Sequence, residues 1–279
     1  IHLLENENEE VEYIDVFCEA IKCHHNSIAN YIRTNHLQTI FDEQEKRVSD
    51  EAISSFNYEF ISTNLNQISK NFTQFCKYDY YHVVKCILAS DSFIDINKYD
   101  EVEDMTPLHY AIENNDSQLV KIILNRPDID VNRLAKPLND DKTIISPLFM
   151  AITKNNSEVV QMLIAKSDCD VNLYSDVTFE EEIYLYDESA FIVNDVEPNG
   201  VAHLTPLCAA IERNNSKIVN LLLQQSEINV NLEAFFNNCM KLNPLNLAYQ
   251  VKNLEIFELL VDLKETDVNH SLYSFKTFD

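Results

Sequence analysis

Apolar residues along the last two thirds of the chain recur at helical spacing, in short runs separated by polar turns. Within residues 106–132, Leu108, Ala111 and Ile112 fall at positions i, i+3 and i+4, which is the core stripe of a short helix. A second stripe follows between residues 119 and 123 and is broader, as expected for a helix with neighbours on two sides. The pattern predicts two short helices followed by a polar loop.

The same two-helix pattern occurs four times, and each copy opens with a helix-capping residue followed by proline. The capping oxygen accepts a hydrogen bond from an orphan backbone N–H, and proline at the first helical position lacks only a donor that would be unpaired anyway. The copies begin at Thr106, Ser146, Thr205 and Asn243. Because two short helices cannot bury such stripes alone, the repetition predicts a solenoid of stacked copies.

The chain contains a single glycine, Gly200, although the turn inside each copy needs a residue with positive φ. Asparagine is the usual second choice for that conformation, and the first three copies have it where the first helix must end. These residues are Asn115, Asn155 and Asn214. The fourth copy has Lys252 at this position, which predicts a strained or rearranged turn.

The copies resemble the ankyrin repeat, whose signature T-P-L-H-x-A stands at residues 106–111 as TPLHYA. The resemblance implies an all-α fold, an ankyrin-repeat solenoid of stacked helix–turn–helix units with inter-repeat hairpin loops. We expect a divergent helical, ankyrin-like N-terminal region at residues 1–70 and a repeat array at residues 71–279. The expected repeats lie near 71–97, 106–132, 146–172, 205–231 and 243–269, with an acidic insertion at 173–204.

The charge of the chain is strongly negative, with 21 Lys and Arg against 46 Asp and Glu and a formal net charge of −25. Such a chain repels phosphate backbones and anionic lipid, so we expect no nucleic acid partner. A protein partner with a basic surface is favoured, and solubility alone is the alternative explanation for the charge. No apolar run is long enough to span a bilayer, so we expect no membrane insertion.

The cysteines predict a reducing environment, because the chain has seven of them, scattered and without a C-x-x-C pair. We therefore expect an intracellular, cytoplasmic protein. Cys18, Cys23, His24 and His25 are the one candidate metal cluster, but a helix would place the two thiols about 140° apart. Residues 20–32 align with residues 111–123 and place both histidines in a turn. We predict no metal site.

Candidate catalytic groups also have structural explanations. His109 lies in the TPLH signature, where the resemblance implies a hydrogen bond within the repeat, and the other copies have Phe149, Cys208 and Asn246 there. Phosphate-binding loops and hydrolase motifs are absent from the sequence. Acidic runs are abundant but lack the pocket that acid–base catalysis requires. We expect neither a cofactor nor an enzyme.

Partner-binding positions follow from the resemblance, since variable first-helix residues and hairpin tips line one concave side of an ankyrin stack. The candidates on the first helices are Tyr110, Glu113, Met150, Glu212, Arg213, Leu247 and Gln250. Tyr110, Met150 and Leu247 are apolar at positions that we expect to be exposed, as in a binding patch. Isolated surface residues are the alternative.

The insertion supplies the remaining candidates. From Asp176 to Glu197 it has eight carboxylates and no Lys or Arg, interleaved with apolar and aromatic residues. The candidate contact residues are Glu181, Glu182, Tyr184, Tyr186 and Phe191. Two β-prone runs on either side of residues 187–190 predict an elongated hairpin; a disordered acidic segment that folds on binding is the alternative.

Two functions remain open at this point. The first is a non-enzymatic scaffold or adaptor that binds a protein through its concave face and acidic hairpin. The second is a regulatory segment of a larger enzyme or channel whose catalytic part lies outside this chain.

Overall fold

The computed structural model describes most of the chain in two compact units, residues 1–96 and residues 97–279. The described residues are 13–36, 47–48, 51–52, 55, 57, 59–60, 72–89, 94–100, 103–136, 143–179, 200–236 and 240–268. None of the helices in these ranges is long and apolar enough to cross a membrane.

Two helix pairs can be followed in the described part of the first unit. Helix α1 (Tyr13–Lys22) and helix α2 (Asn26–His36) form one pair, and α3 (Phe72–Lys77) and α4 (Tyr81–Ala89) form the other. The turns between them have His24 and Asp79 in the left-handed conformation, with φ of 59° and 57°. His24 therefore occupies the turn that the alignment with residues 111–123 predicts.

A buried asparagine joins the described parts of residues 1–60. Asn57 is fully buried, and its Nδ2 donates to the Ile21 carbonyl oxygen at 2.8 Å and to Asn26 Oδ1 at 2.6 Å. The backbone N–H of Phe60 donates to Asn57 Oδ1 at 3.1 Å. The Asn57 side chain therefore makes hydrogen bonds at both the end of α1 and the start of α2. Buried side-chain amides are almost always hydrogen-bonded in this way.

The second unit repeats one helix pair four times. The first helices are α5 (Pro107–Glu113), α7 (Pro147–Thr153), α9 (Pro206–Glu212) and α11 (Pro244–Gln250). The second helices are α6 (Ser117–Leu124), α8 (Ser157–Ile164), α10 (Ser216–Leu223) and α12 (Leu254–Val261). The predicted caps are confirmed, because Thr106, Ser146, Thr205 and Asn243 each accept the backbone N–H three residues later.

The turns inside the four pairs are left-handed, as predicted. Asn115, Asn155 and Asn214 have φ between 55° and 58°. Lys252 has φ of 58°, so the fourth turn adopts the same conformation and is not rearranged.

The asparagine turns also connect neighbouring repeats. Asn156 Nδ2 donates to Asn115 Oδ1 at 2.6 Å, and Asn253 Nδ2 donates to Asn214 Oδ1 at 2.5 Å. Asn215 and Asn155 make the same contact. Glycine could adopt this backbone conformation but could not accept the bond, so asparagine both forms the turn and joins two repeats.

A second ladder of asparagines follows the loops after the second helices. In each step a side-chain amide donates to a backbone carbonyl of the next loop and accepts a backbone N–H two residues later, at 2.6–2.9 Å. The residues are Asn97, Asn132, Asn172 and Asn231. The asparagine at the end of each repeat therefore links the backbone of the next repeat to its own.

The inter-repeat hairpins form an antiparallel sheet of four strands in sequence order. The strands are β1 (Ser175–Phe179), β2 (Gly200–Leu204), β3 (Ala234–Phe236) and β4 (Met240–Leu242). In β1 and β2 the register runs from Ser175 opposite Leu204 to Phe179 opposite Gly200. Isolated bridges between Ala135 and Ile145 and between Ile144 and Asp176 extend the same pairing toward the earlier hairpin.

The expected helix–turn–helix solenoid is confirmed in its stacked helix pairs, but the all-α class is incomplete. Each repeat places its hairpin within hydrogen-bonding distance of the next hairpin. The backbone N–H and C=O groups at the hairpin edges therefore pair across repeats, and the hairpins form a sheet. Residues 72–96 belong to the first compact unit. The start of the repeat array at residue 71 stays a prediction.

Candidate functional site

The ends of the first helices form a row of polar side chains, one step per repeat. We call Glu113, Lys154, Glu212, Arg213 and Gln250 the helix-end row. Gln250 is half-buried and the other four are exposed. Three of the predicted contact residues, Glu113, Glu212 and Gln250, therefore lie at equivalent places in the stack. The fourth, Arg213, is one residue further along and is equivalent to Lys154.

The helix-end row is balanced in charge. Lys154 Nζ lies 2.6 Å from Glu113 Oε1, and Arg213 Nε lies 3.5 Å from Glu212 Oε2. Both pairs are exposed, so each contributes little to stability. Since the row has two charges of each sign, a preference for a basic partner cannot originate there.

The apolar candidates Tyr110, Met150 and Leu247 are buried, contrary to the prediction. Their exposed fractions are 3%, 2% and 0%, and Ala209 at the equivalent position is 1% exposed. The prediction was wrong because these positions belong to the packed interior of the stack. They are core residues and not contact residues.

The contacts of Tyr110 show why this first-helix position is buried. Its hydroxyl contacts Asp100 Oδ2 at 2.6 Å and Glu103 Oε2 at 2.9 Å, both in the hairpin that precedes its repeat. Burial, these hydrogen bonds and the two carboxylates raise the pKa of Tyr110 well above its ordinary value, so the phenol stays protonated. Tyr110 therefore anchors the first hairpin to α5.

Gln250 ends the row with a buried amide oxygen. Its Oε1 is out of contact with water and accepts no hydrogen bond from the described residues. An unsatisfied buried acceptor costs free energy. No other predicted contact residue in the described part of the chain shows this feature.

The predicted contacts in the insertion, Glu181, Glu182, Tyr184, Tyr186 and Phe191, lie outside the described residues. The structure describes the base of the insertion, which is the β1–β2 pair. There Asp176 stands opposite His203, and their Oδ1 and Nδ1 atoms are 2.5 Å apart. The base is an antiparallel hairpin; the predicted strands beyond it, within residues 180–199, stay a prediction.

Aromatic side chains on the hairpins form two clusters with basic residues that sequence reasoning missed. Arg133 lies over the Tyr99 ring at 4.5 Å. In the other cluster, Lys241 Nζ lies 4.9 Å from the centre of the Phe235 ring, and Tyr174 packs beside that ring at 6.2 Å. The available signal was aromatic residues within segments predicted to be hairpins.

The hairpin clusters are partly accessible. Tyr99, Arg133, Tyr174 and Phe235 are half-buried, and Lys241 is exposed. Tyr99 Oη donates to the Leu134 carbonyl at 2.6 Å and Tyr174 Oη donates to the Glu233 carbonyl at 2.9 Å, so both rings are held in place. Fixed aromatic rings beside Arg or Lys are typical of protein interfaces.

Among the buried titratable groups of the described residues, His109 makes its contact inside its own repeat. His109 is fully buried, with Nδ1 2.7 Å from Thr106 Oγ1. Burial lowers its pKa to about 3, so the ring is neutral at physiological pH, and the nearby Ile145 backbone opposes this shift. This contact within the repeat agrees with the structural role that the resemblance implies for His109.

The thiols of Cys76 and Cys208 are buried. Burial raises the pKa of Cys208 to about 11 and that of Cys76 well above its ordinary value, so neither is a thiolate nucleophile near neutral pH. In the described ranges, no group of three His, Cys, Asp or Glu residues is arranged to hold a metal ion. Cys18 is buried and Cys23 is exposed, so the two do not face one site.

Comparison with known proteins agrees with the repeat geometry. A family model described as "Ankyrin repeats (3 copies)" matches residues 72–175 and 184–271, which is more than half of the chain. No curated protein matches the chain. Ankyrin repeats are generally protein–protein interaction modules and are typically not catalytic. The chain belongs to the ankyrin-repeat family.

Proposed function

We propose that this protein is a non-enzymatic scaffold or adaptor that binds a protein partner through the helix-end row, the hairpin clusters and the acidic insertion. The observation that carries the proposal is the hairpin sheet, in which the insertion emerges from a paired base between two other hairpins. A recognition segment on a fixed base loses less conformational freedom on binding than one on a free chain.

The charge distribution supports a division of roles within this surface. The helix-end row is balanced, with Glu113 beside Lys154 and Glu212 beside Arg213. The insertion has seven carboxylates in residues 180–199 and no basic residue. The insertion would therefore attract a basic partner and accelerate its encounter, while the row and the hairpin clusters would make the close contacts.

The register of the hairpin provides a clean test of the insertion. Because Phe179 pairs directly with Gly200, residues 180–199 can be replaced by a two-residue Asn-Gly turn that closes the same strands. Proteins captured from a cell lysate by this variant and by the full chain are then quantified side by side. We expect a specifically captured partner to be reduced at least about tenfold by the replacement.

A second variant that keeps the length and apolar residues of the insertion but removes its charge separates electrostatics from shape. In this variant the seven carboxylates of residues 180–199 become Gln or Asn, while the apolar residues stay. We expect this variant to weaken capture mainly at low salt, since screening removes the same attraction at high salt. Equal retention of every captured protein by all three chains would remove the insertion from the binding surface.

A further inference from the structure

The last helix pair in the described part of the chain exposes apolar side chains on one side. Tyr249 and Val268 are 60% and 55% exposed, and Phe257 is half-buried with its ring 6.4 Å from that of Tyr249. We call Tyr249, Phe257 and Val268 the end face.

The equivalent residues in the three preceding repeats are buried. At the Tyr249 position they are Ile112, Ile152 and Ile211, at the Phe257 position Val120, Val160 and Val219, and at the Val268 position Val131, Val171 and Val230. Each of these nine side chains is at most 5% exposed. The end face is therefore the side on which every earlier repeat receives its neighbour, and a stack ending in solvent would favour polar residues there.

We propose that residues 269–279 of this chain cover the end face. These eleven residues, NHSLYSFKTFD, lie outside the described part and include Leu272, Tyr273, Phe275 and Phe278. They follow directly on Val268, which is itself part of the end face. Eleven residues can span up to roughly 35 Å when extended, and α12 with its 8 residues is about 12 Å long, so the segment can reach across the whole repeat.

The chain is fixed where this segment begins. The Asp267 backbone N–H donates to Asn231 Oδ1 at 2.8 Å, and Thr266 Oγ1 donates to the Leu260 carbonyl at 2.6 Å. A segment attached at the edge of an apolar surface has a high effective concentration there, so modest apolar contacts are sufficient.

Charge favours this segment over a second copy of the chain. Glu255, Glu258 and Asp262 are exposed around α12, and a second copy would bring the same acidic residues and a net charge of −25 against them. The segment itself contains Lys276 and His270 against Asp279. The acidic residues around α12 therefore repel a second copy of the chain but do not repel residues 269–279.

The test uses the full chain with L272S, F275S and F278S combined, and measures amide hydrogen exchange. We expect amides of α12 to exchange at least about tenfold faster than in the wild type. Amides of α5 and α6 should be unchanged, which shows that the rest of the stack is folded. L134S is the matched control: Leu134 is 36% exposed on a distant hairpin, and its replacement should leave α12 exchange unchanged.

A coupling measurement decides whether the contact is direct. Y249S should accelerate α12 exchange in the wild type, and its effect should be at least about threefold smaller when the three segment residues are already Ser. Unchanged α12 exchange in the triple variant, or equal effects of Y249S in both backgrounds, would overturn the proposal. So would a mass of two chains in light scattering that Y249S abolishes and the triple variant retains, because a second copy would then be the occupant.

Discussion

Single polar residues inside the repeats decide how the repeats are joined. His109 and Tyr110 are adjacent and both buried, but they serve different contacts. His109 binds the capping Thr106 of its own helix, and Tyr110 holds the preceding hairpin through Asp100 and Glu103. The first contact stabilises a helix start and the second joins two elements.

Protonation of His109 should destabilise the fold. Its pKa falls from an ordinary value of 6.5 to about 3 in the folded chain. Below pH 6.5, His109 binds a proton in the unfolded chain but stays neutral in the folded chain. Its contribution to the free energy of unfolding is therefore fully present above pH 6.5 and is lost as the pH falls toward 3. The loss from one such group is about 1.4 kcal/mol per pH unit.

The variant H109N isolates this effect, because Asn246 occupies the equivalent buried position in the fourth repeat. Between pH 6.5 and pH 5, urea unfolding should show the wild type losing about 2 kcal/mol more than H109N. Parallel pH profiles for the two proteins would contradict the assignment of a neutral, buried imidazole.

Removing the Tyr110 hydroxyl should also destabilise the fold. Y110F deletes hydrogen bonds to two carboxylates, one of them on Asp100, which is only 5% exposed. We expect a loss of about 1.5–3 kcal/mol in the free energy of unfolding, the range for hydrogen bonds to charged groups. Y78F is the control, since Tyr78 is 55% exposed, and it should change stability by less than about 0.5 kcal/mol. Equal effects would show that Tyr110 does not anchor the hairpin.

At the scale of the element, the turn between paired helices combines a backbone conformation with a contact between repeats. Asn155 has φ of 58° and also accepts a hydrogen bond from Asn215. Lys252 shows that a residue without a side-chain acceptor can adopt the turn. The conformation and the bond are therefore separable.

Substitutions at Asn155 should separate the contribution of the left-handed conformation from that of the hydrogen bond. N155A and N155G both remove the acceptor, but only alanine places a β-carbon in the left-handed region, at a cost of about 1–2 kcal/mol. Chemical denaturation should find N155A less stable than N155G by about 1 kcal/mol. K154A, at a residue with an ordinary helical φ of −76°, is the control and should cost less than about 1 kcal/mol. N155A as stable as N155G would contradict a strained turn.

The helices could be predicted from the sequence because their signals are local. Cap, proline and apolar stripe all lie within seven residues of each other, and the asparagine turns follow directly. Strands β1 and β2 have five residues each, and twenty residues separate them, so no local pattern reports their pairing. The burial of Tyr110, Met150 and Leu247 was missed for the same reason, since the surroundings of these side chains are set by distant segments.

At the scale of the whole molecule, excess negative charge opposes the compact state. A net charge of −25 produces repulsion that salt screens, while exposed ion pairs such as Lys154–Glu113 and Arg213–Glu212 contribute little to stability. Raising NaCl from about 0.02 M to 0.3 M should therefore raise the midpoint of thermal unfolding. A lower midpoint in salt would mean that ion pairs outweigh the repulsion.

We expect a protein partner to bind on the side formed by the helix-end row and the hairpins. Hydrogen exchange of the full chain, alone and with a partner captured through its insertion, tests this most directly. Exchange should slow in peptides containing Glu113, Arg213 and the hairpin residues Tyr99 and Phe235, while exchange in the second helices α6, α8 and α10 should be unchanged. Slower exchange confined to α6, α8 and α10 would place the partner on another face of the stack and would contradict binding at the helix-end row and the hairpins.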